Sequence, residues 1–133
     1  MNESPPRRLH EIIPQHEARI AAARRLIGFG PSAKPNLRRL LIGYPHSRPV
    51  LVSELVRANA KWSVDELMGL CEKMEDGVDR LVVVRAVESL SGQSFRRKED
   101  TAEEALVLPP RRAVRWWRCT GPDPVNPVLP KNP

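Results

Sequence analysis

The sequence predicts a mainly α fold: a small helical core around a helical hairpin near residues 63–91, with extended, proline-rich, basic arms at both ends. Three observations predict it. Apolar residues in the middle of the chain recur three and four positions apart, the spacing of one helix face. The 14 prolines fall in residues 1–49 and 109–133, where they interrupt regular structure. The ends carry an excess of arginine and lysine around an acidic centre. A chain of 133 residues has room for one modest core, since folding at this length buries roughly two-thirds of the unfolded surface. Three segments follow: a basic N-terminal arm with short amphipathic helices (1–49), a helical core (50–108), and an Arg/Trp segment leading into a Pro-rich tail (109–133).

Pro14 fits the first turn of a helix running from Gln15 to Ile27, with Ile20, Ala23, Leu26 and Ile27 as its apolar stripe and Gly28 and Gly30 beyond its end. Pro31 and Pro35 frame a linker. Leu37, Leu40 and Leu41, beside Arg38 and Arg39, then form a short amphipathic helix stopped at Gly43. After a loop containing Pro45 and Pro49, Leu51, Leu55 and Val56 keep helical spacing within residues 50–60. Ser63 and Glu66 make a capping box, with Trp62 and Leu67 placed for a hydrophobic staple, so a helix starts at Val64.

That helix presents Leu67, Leu70, Cys71 and Met74 to the core and stops near Gly77. Asp79 is the expected cap of the next, Arg80 to Leu90, whose stripe is Val83, Ala86, Val87 and Leu90, with Gly92 past its end. Leu81 to Val84 alone also suits a short buried strand, but the apolar spacing continues helically to Leu90. Residues 93–100 read as a polar loop. Thr101 and Glu104 repeat the capping-box pattern, yet Pro109 and Pro110 limit any helix there to a brief one, with one or two turns expected over Arg111 to Arg118. Five prolines from Thr120 onward favour an extended tail.

The net charge of +6 is unevenly spread. Residues 1–61 carry 11 Lys/Arg against 4 Asp/Glu, residues 62–104 carry 6 against 11, and residues 105–133 carry 5 against 1. Arginines that meet phosphates release condensed counterions, so basic arms of this kind suit nucleic acid, and their planar guanidinium groups suit protein interfaces equally. The candidate RNA- or partner-binding residues are Arg24, Arg25, Arg38 and Arg39 in the first two helices and Arg111, Arg112, Arg115, Trp116, Trp117 and Arg118 near the end. Arginine with tryptophan serves stacking on bases, protein hot spots and membrane headgroups alike. Adjacent tryptophans face different ways, so one core is expected to bury only one of them.

The segment from Ala58 through Trp62, Ser63-Val64-Asp65-Glu66-Leu67, and then Val82 to Leu90, resembles the helix-pair repeat of organellar RNA-binding proteins of the octotricopeptide and FAST-kinase-like groups. The resemblance covers residues 58–91 in a single copy. It implies mitochondrial or plastid RNA work and assigns no individual RNA-contacting residue.

Catalytic chemistry is not expected. The chain has no nucleophile elbow, phosphate-binding loop, paired-histidine motif or dinucleotide fingerprint, and Gly28-Phe29-Gly30 reads as a helix stop. No cofactor and no metal are expected, because His10, His16 and His46 are scattered and Glu72, Glu75, Asp76 and Asp79 lack the spacing of a calcium loop. Cys71 and Cys119 read as two reduced thiols of an intracellular protein. No run approaches the ~20 apolar residues of a membrane span, and Met1 to Arg8 lacks a secretory pattern. The expectation is a structural subunit of a larger assembly, an RNA-contacting component of an organellar (mitochondrial) ribosome or ribonucleoprotein. The alternative is an accessory subunit of a mitochondrial respiratory-chain or ATP synthase complex, with its arms along protein or a membrane surface.

Overall fold

Six α-helices follow one another along residues 9–120, the stretch that the computed structural model describes, with side chains described from His16 to Thr120. They are α1 (Leu9–Gly28), α2 (Lys34–Gly43), α3 (Arg48–Arg57), α4 (Val64–Lys73), α5 (Val78–Ser91) and α6 (Glu104–Thr120). No strand occurs among the described residues, so the Leu81 to Val84 run is helical. The α4–α5 pair is the centre: α2 and α6 pack on α4, α3 and α6 pack on α5, and α1 lies on α3.

The apolar stripes read from the sequence are the faces that meet. Leu37, Leu41, Leu55, Leu67, Cys71 and Val87 have no exposed surface, and Val83, Ala86 and Leu90 are buried beside them. This one core is wider than residues 50–108. It takes Ala23 and Ile27 from α1, Leu37 and Leu41 from α2, and Ala113 from α6. Within residues 16–49, α1 and α2 each lay an apolar face on this core. The ends of both expected arms, 1–8 and 121–133, lie outside the described residues.

The prolines explain why the N-terminal half packs. Short 3-10 turns at Gly30–Ala33, Pro45–Ser47 and Lys61–Ser63 run straight into α2, α3 and α4. Pro31 and Pro45 lie in those turns, while Pro35 and Pro49 occupy the first turns of α2 and α3. A first-turn amide has no intrahelical acceptor, so proline costs little there and its fixed φ favours the helix. α1 starts at Leu9, which puts Pro14 beyond the first turn where it was expected.

The two capping boxes behave oppositely. Ser63 is not a cap: the 3-10 turn gives it helical backbone angles, its hydroxyl donates to the Ala60 carbonyl at 2.8 Å, and Glu66 is engaged by Arg38. An N-cap needs an extended backbone, which the incoming turn denies. The Thr101–Glu104 box forms in full, with the Thr101 amide donating to Glu104 Oε1 at 3.0 Å and the Glu104 amide to Thr101 Oγ1 at 3.1 Å.

From that box α6 runs 17 residues, through Pro109 and Pro110, where only a brief helix was expected. An interior proline costs a helix roughly 3 kcal/mol. Here the carbonyls left without donors belong to Ala105 and Leu106, which are exposed to solvent, and both proline rings are fully buried.

α4 ends at Lys73, short of Gly77, because Met74 turns to an extended conformation. Gly77 stands at the start of α5, so Asp79 lies inside its first turn instead of capping it. Gly92 closes α5 in the left-handed conformation, φ 81°, where a side chain would clash with the backbone.

Candidate functional site

The candidate residues lie on three helices, α1, α2 and α6, and most of them have partners in the fold. On α1, Arg24 Nε donates to Glu54 Oε1 at 2.9 Å. On α2, Arg38 Nε donates to Glu66 Oε1 at 2.7 Å, and Arg39 reaches only the Asn36 side-chain oxygen at 3.3 Å. On α6, Arg111 pairs with Asp76 at 3.2 Å, and Arg118 Nε with Glu72 at 2.8 Å. Arg25 and Arg115 are exposed and have no carboxylate partner among the described residues.

Arg112 differs from the others. Both of its terminal nitrogens donate to Asp100 at 2.8 Å, and Nη1 also donates to the Phe95 carbonyl at 2.9 Å. Only 18% of the Arg112 side chain and 6% of the Asp100 side chain remain exposed. The Arg112 hydrogen bonds, opposed by burial and helped by the Arg97 amide, hold the Asp100 carboxyl down at about 2. This arginine fastens α6 to the α5–α6 connection.

Both tryptophans are half-buried against the core, where one was expected to be left over. Their faces do diverge, but α6 lies against two helices at once. Trp117 turns to α4, where its indole N–H donates to Asp65 Oδ1 at 3.0 Å. Trp116 packs on Phe95 with ring centroids 5.5 Å apart, and its own N–H is buried without a partner.

Buried carboxylates were missed from the sequence. Glu54, Glu66 and Glu88 are all nine-tenths or more buried. Glu54 joins α3 to α1 through Arg24, and Glu66 joins α4 to α2 through Arg38. Glu88 Oε2 accepts the Phe95 amide at 2.7 Å, while the Arg96 guanidinium lies 3.2 Å from Oε1 as an ion pair without hydrogen-bond geometry. The Arg24 hydrogen bond, with Arg57 adding to it, holds the Glu54 carboxyl below its ordinary range against the opposing effect of burial. For Glu66 and Glu88 the signal available was the acidic middle of the sequence, whose sign is opposite to that of both ends; Glu54 lies in the basic first block and had no such signal.

Two concave regions accompany these pairs. One, of about 290 Å³, is walled by Arg24, Arg57, Asn59 and Trp62. The other, of about 550 Å³, lies at the α4–α5 connection, with Arg48, Lys73, Glu75 and Asp79 around apolar Ile42 and Val78. Ile42, Val78 and Val82 are 41%, 70% and 44% exposed. No family model, characterised protein or solved structure matches the chain. Cys71 and Cys119 are both unpaired, and burial pushes the Cys71 thiol up. No helix among the described residues is long and apolar enough to cross a membrane.

Proposed function

We propose that this protein is a non-catalytic, RNA-contacting subunit of a ribonucleoprotein, and that the assembly is an organellar, mitochondrial ribosome or a related particle. The observation that carries the reading is the arginine surplus left at the surface. Arg25, Arg39 and Arg115 have no carboxylate partner among the described residues, and the paired side chains of Arg24, Arg38, Arg111 and Arg118 stay 54%, 64%, 59% and 69% exposed. Exposed guanidinium groups on a chain of net charge +6 draw phosphates and release their counterions. The exposed apolar Ile42 and Val78, ringed by mixed charges, support a protein neighbour as well.

The test is the affinity of the purified chain for single-stranded RNA as salt is raised. The expected result is a linear fall of log K with log salt, with a slope of about −0.7 for each phosphate contacted. A flat line removes the RNA reading. The companion measurement is what co-purifies with the native protein. Ribosomal RNA supports the proposal, whereas a respiratory complex free of RNA supports an accessory-subunit role, which the same apolar surface would serve.

A further inference from the structure

The small cavity beside α1 has a chemistry that the arginine surplus alone does not explain. Arg24 Nε and Arg57 Nε donate to the same atom, Glu54 Oε1, at 2.9 and 2.8 Å. Anchored on one oxygen, the two guanidinium groups are held side by side. Each spends only Nε there, and among the described residues no hydrogen bond engages the terminal nitrogens of either. Glu54 is 7% exposed, and two cations against one carboxylate leave the cluster with an excess positive charge. Ile27 and the half-buried Trp62 supply apolar wall, and Asn59, with φ 54°, adds a carboxamide at the turn after α3.

The geometry points to a binding pocket for a nucleotide unit, a phosphate or phosphoester joined to a flat ring, at the cavity formed by Arg24, Arg57, Asn59 and Trp62. Paired guanidinium forks match phosphate oxygens, and holding the two forks in advance lowers the ordering cost of binding. Glu54 positions the forks without using their outer donors. The indole offers a face on which any base can stack, and the volume of about 290 Å³ is at the small end of ligand sites. The shared chemistry fits a free nucleotide or one residue of a single strand, and in the second case the pocket rests on the RNA reading above.

Nuclear magnetic resonance on the isotope-labelled full chain decides the matter, with adenosine monophosphate, inorganic phosphate, adenosine and a short single-stranded oligonucleotide as separate probes. Adenosine monophosphate should give saturable shifts centred on the Trp62 indole N–H, the Asn59 and Ala60 amides and the Arg24 and Arg57 Nε–H groups. Phosphate alone and adenosine alone should bind more weakly. Arg57→Ala, which removes a 57% exposed side chain and leaves Glu54 its Arg24 partner, should weaken binding roughly tenfold or more, and Arg57→Lys should restore only part of it. Tighter binding of the oligonucleotide at the same resonances assigns the pocket to a strand, and its failure to reach them assigns it to the free nucleotide. Shifts that never saturate, that spread over all the surface arginines, or that are unchanged in Arg57→Ala overturn the pocket. A flat salt dependence with RNA alongside saturable nucleotide shifts removes the RNA reading and keeps the pocket. Salt-dependent RNA binding untouched by Arg57→Ala, with no nucleotide shifts, does the reverse.

Discussion

At the scale of single residues, a few carboxylates decide which arginines stay available. The pair Asp100–Arg112 is the most enclosed, and its carboxyl titrates at about 2 instead of the ordinary 3.8. A carboxyl whose folded pKa is depressed adds stability above its unfolded pKa and loses it as pH falls through the folded value. The Asp100 contribution is therefore intact at neutral pH and disappears between pH about 4 and about 2. Asp100→Asn should lower the melting temperature at pH 7 and flatten the acid limb of stability in that window, read by thermal melts followed by circular dichroism. Glu54 is shifted in the same direction, so a smaller limb should survive in the variant. An acid limb identical to wild type would show that the pair does not couple to folding. None of this was legible from Asp100 itself, which sits in a stretch, Arg96-Arg97-Lys98-Glu99-Asp100, whose charges look solvated until α6 lies across them.

At the scale of elements, the sequence carried more. The start of α4, the stop of α2 at Gly43 and the left-handed stop at Gly92 were readable, because apolar spacing and a glycine needing positive φ are local facts, whereas α2 begins at Lys34, inside what read as a linker. The two capping boxes were not, since Ser63-Val64-Asp65-Glu66 and Thr101-Ala102-Glu103-Glu104 share one pattern. What separates them is the chain before each: a 3-10 turn winds into Ser63, while Thr101 is entered from an open loop. Pro109 and Pro110 misled for a related reason. A proline's missing donor is a local fact, but the burial of its ring against other helices is not. Thr101→Ala should cost about 1 kcal/mol in urea unfolding and speed hydrogen exchange at the Glu104 amide, which its hydroxyl accepts. Ser63→Ala should leave first-turn exchange in α4 unchanged, because Ser63 caps nothing there. Faster exchange in α4 would mean that the hydroxyl visits the capping geometry.

At the scale of the whole molecule, the three charge blocks of the sequence fold onto one another. Arg38 from the basic start reaches Glu66, and Arg111, Arg112 and Arg118 from the basic end reach Asp76, Asp100 and Glu72 of the acidic middle. The sequence alone shows the blocks but not this closure, which depends on α2 and α6 both packing on α4. The exposed pairs among them, Arg111–Asp76 and Arg118–Glu72, contribute little stability each and weaken with salt. Their larger consequence is competition, since a paired arginine must leave or share its carboxylate to meet a phosphate. Arg25, Arg39 and Arg115 face no such competition among the described residues. The triple variant Arg25→Ala, Arg39→Ala, Arg115→Ala should therefore reduce the salt slope of single-stranded RNA binding by about 2, near 0.7 per lost contact, with the melting temperature unchanged. Arg111→Ala with Arg118→Ala should lower the slope by less for each residue removed, and should lower the melting temperature because α6 loses two ties to α4 and its C-terminal connection. Equal slope changes per arginine in the two variants would mean that the acidic middle does not screen its partners, and that every surface arginine is equally open to RNA.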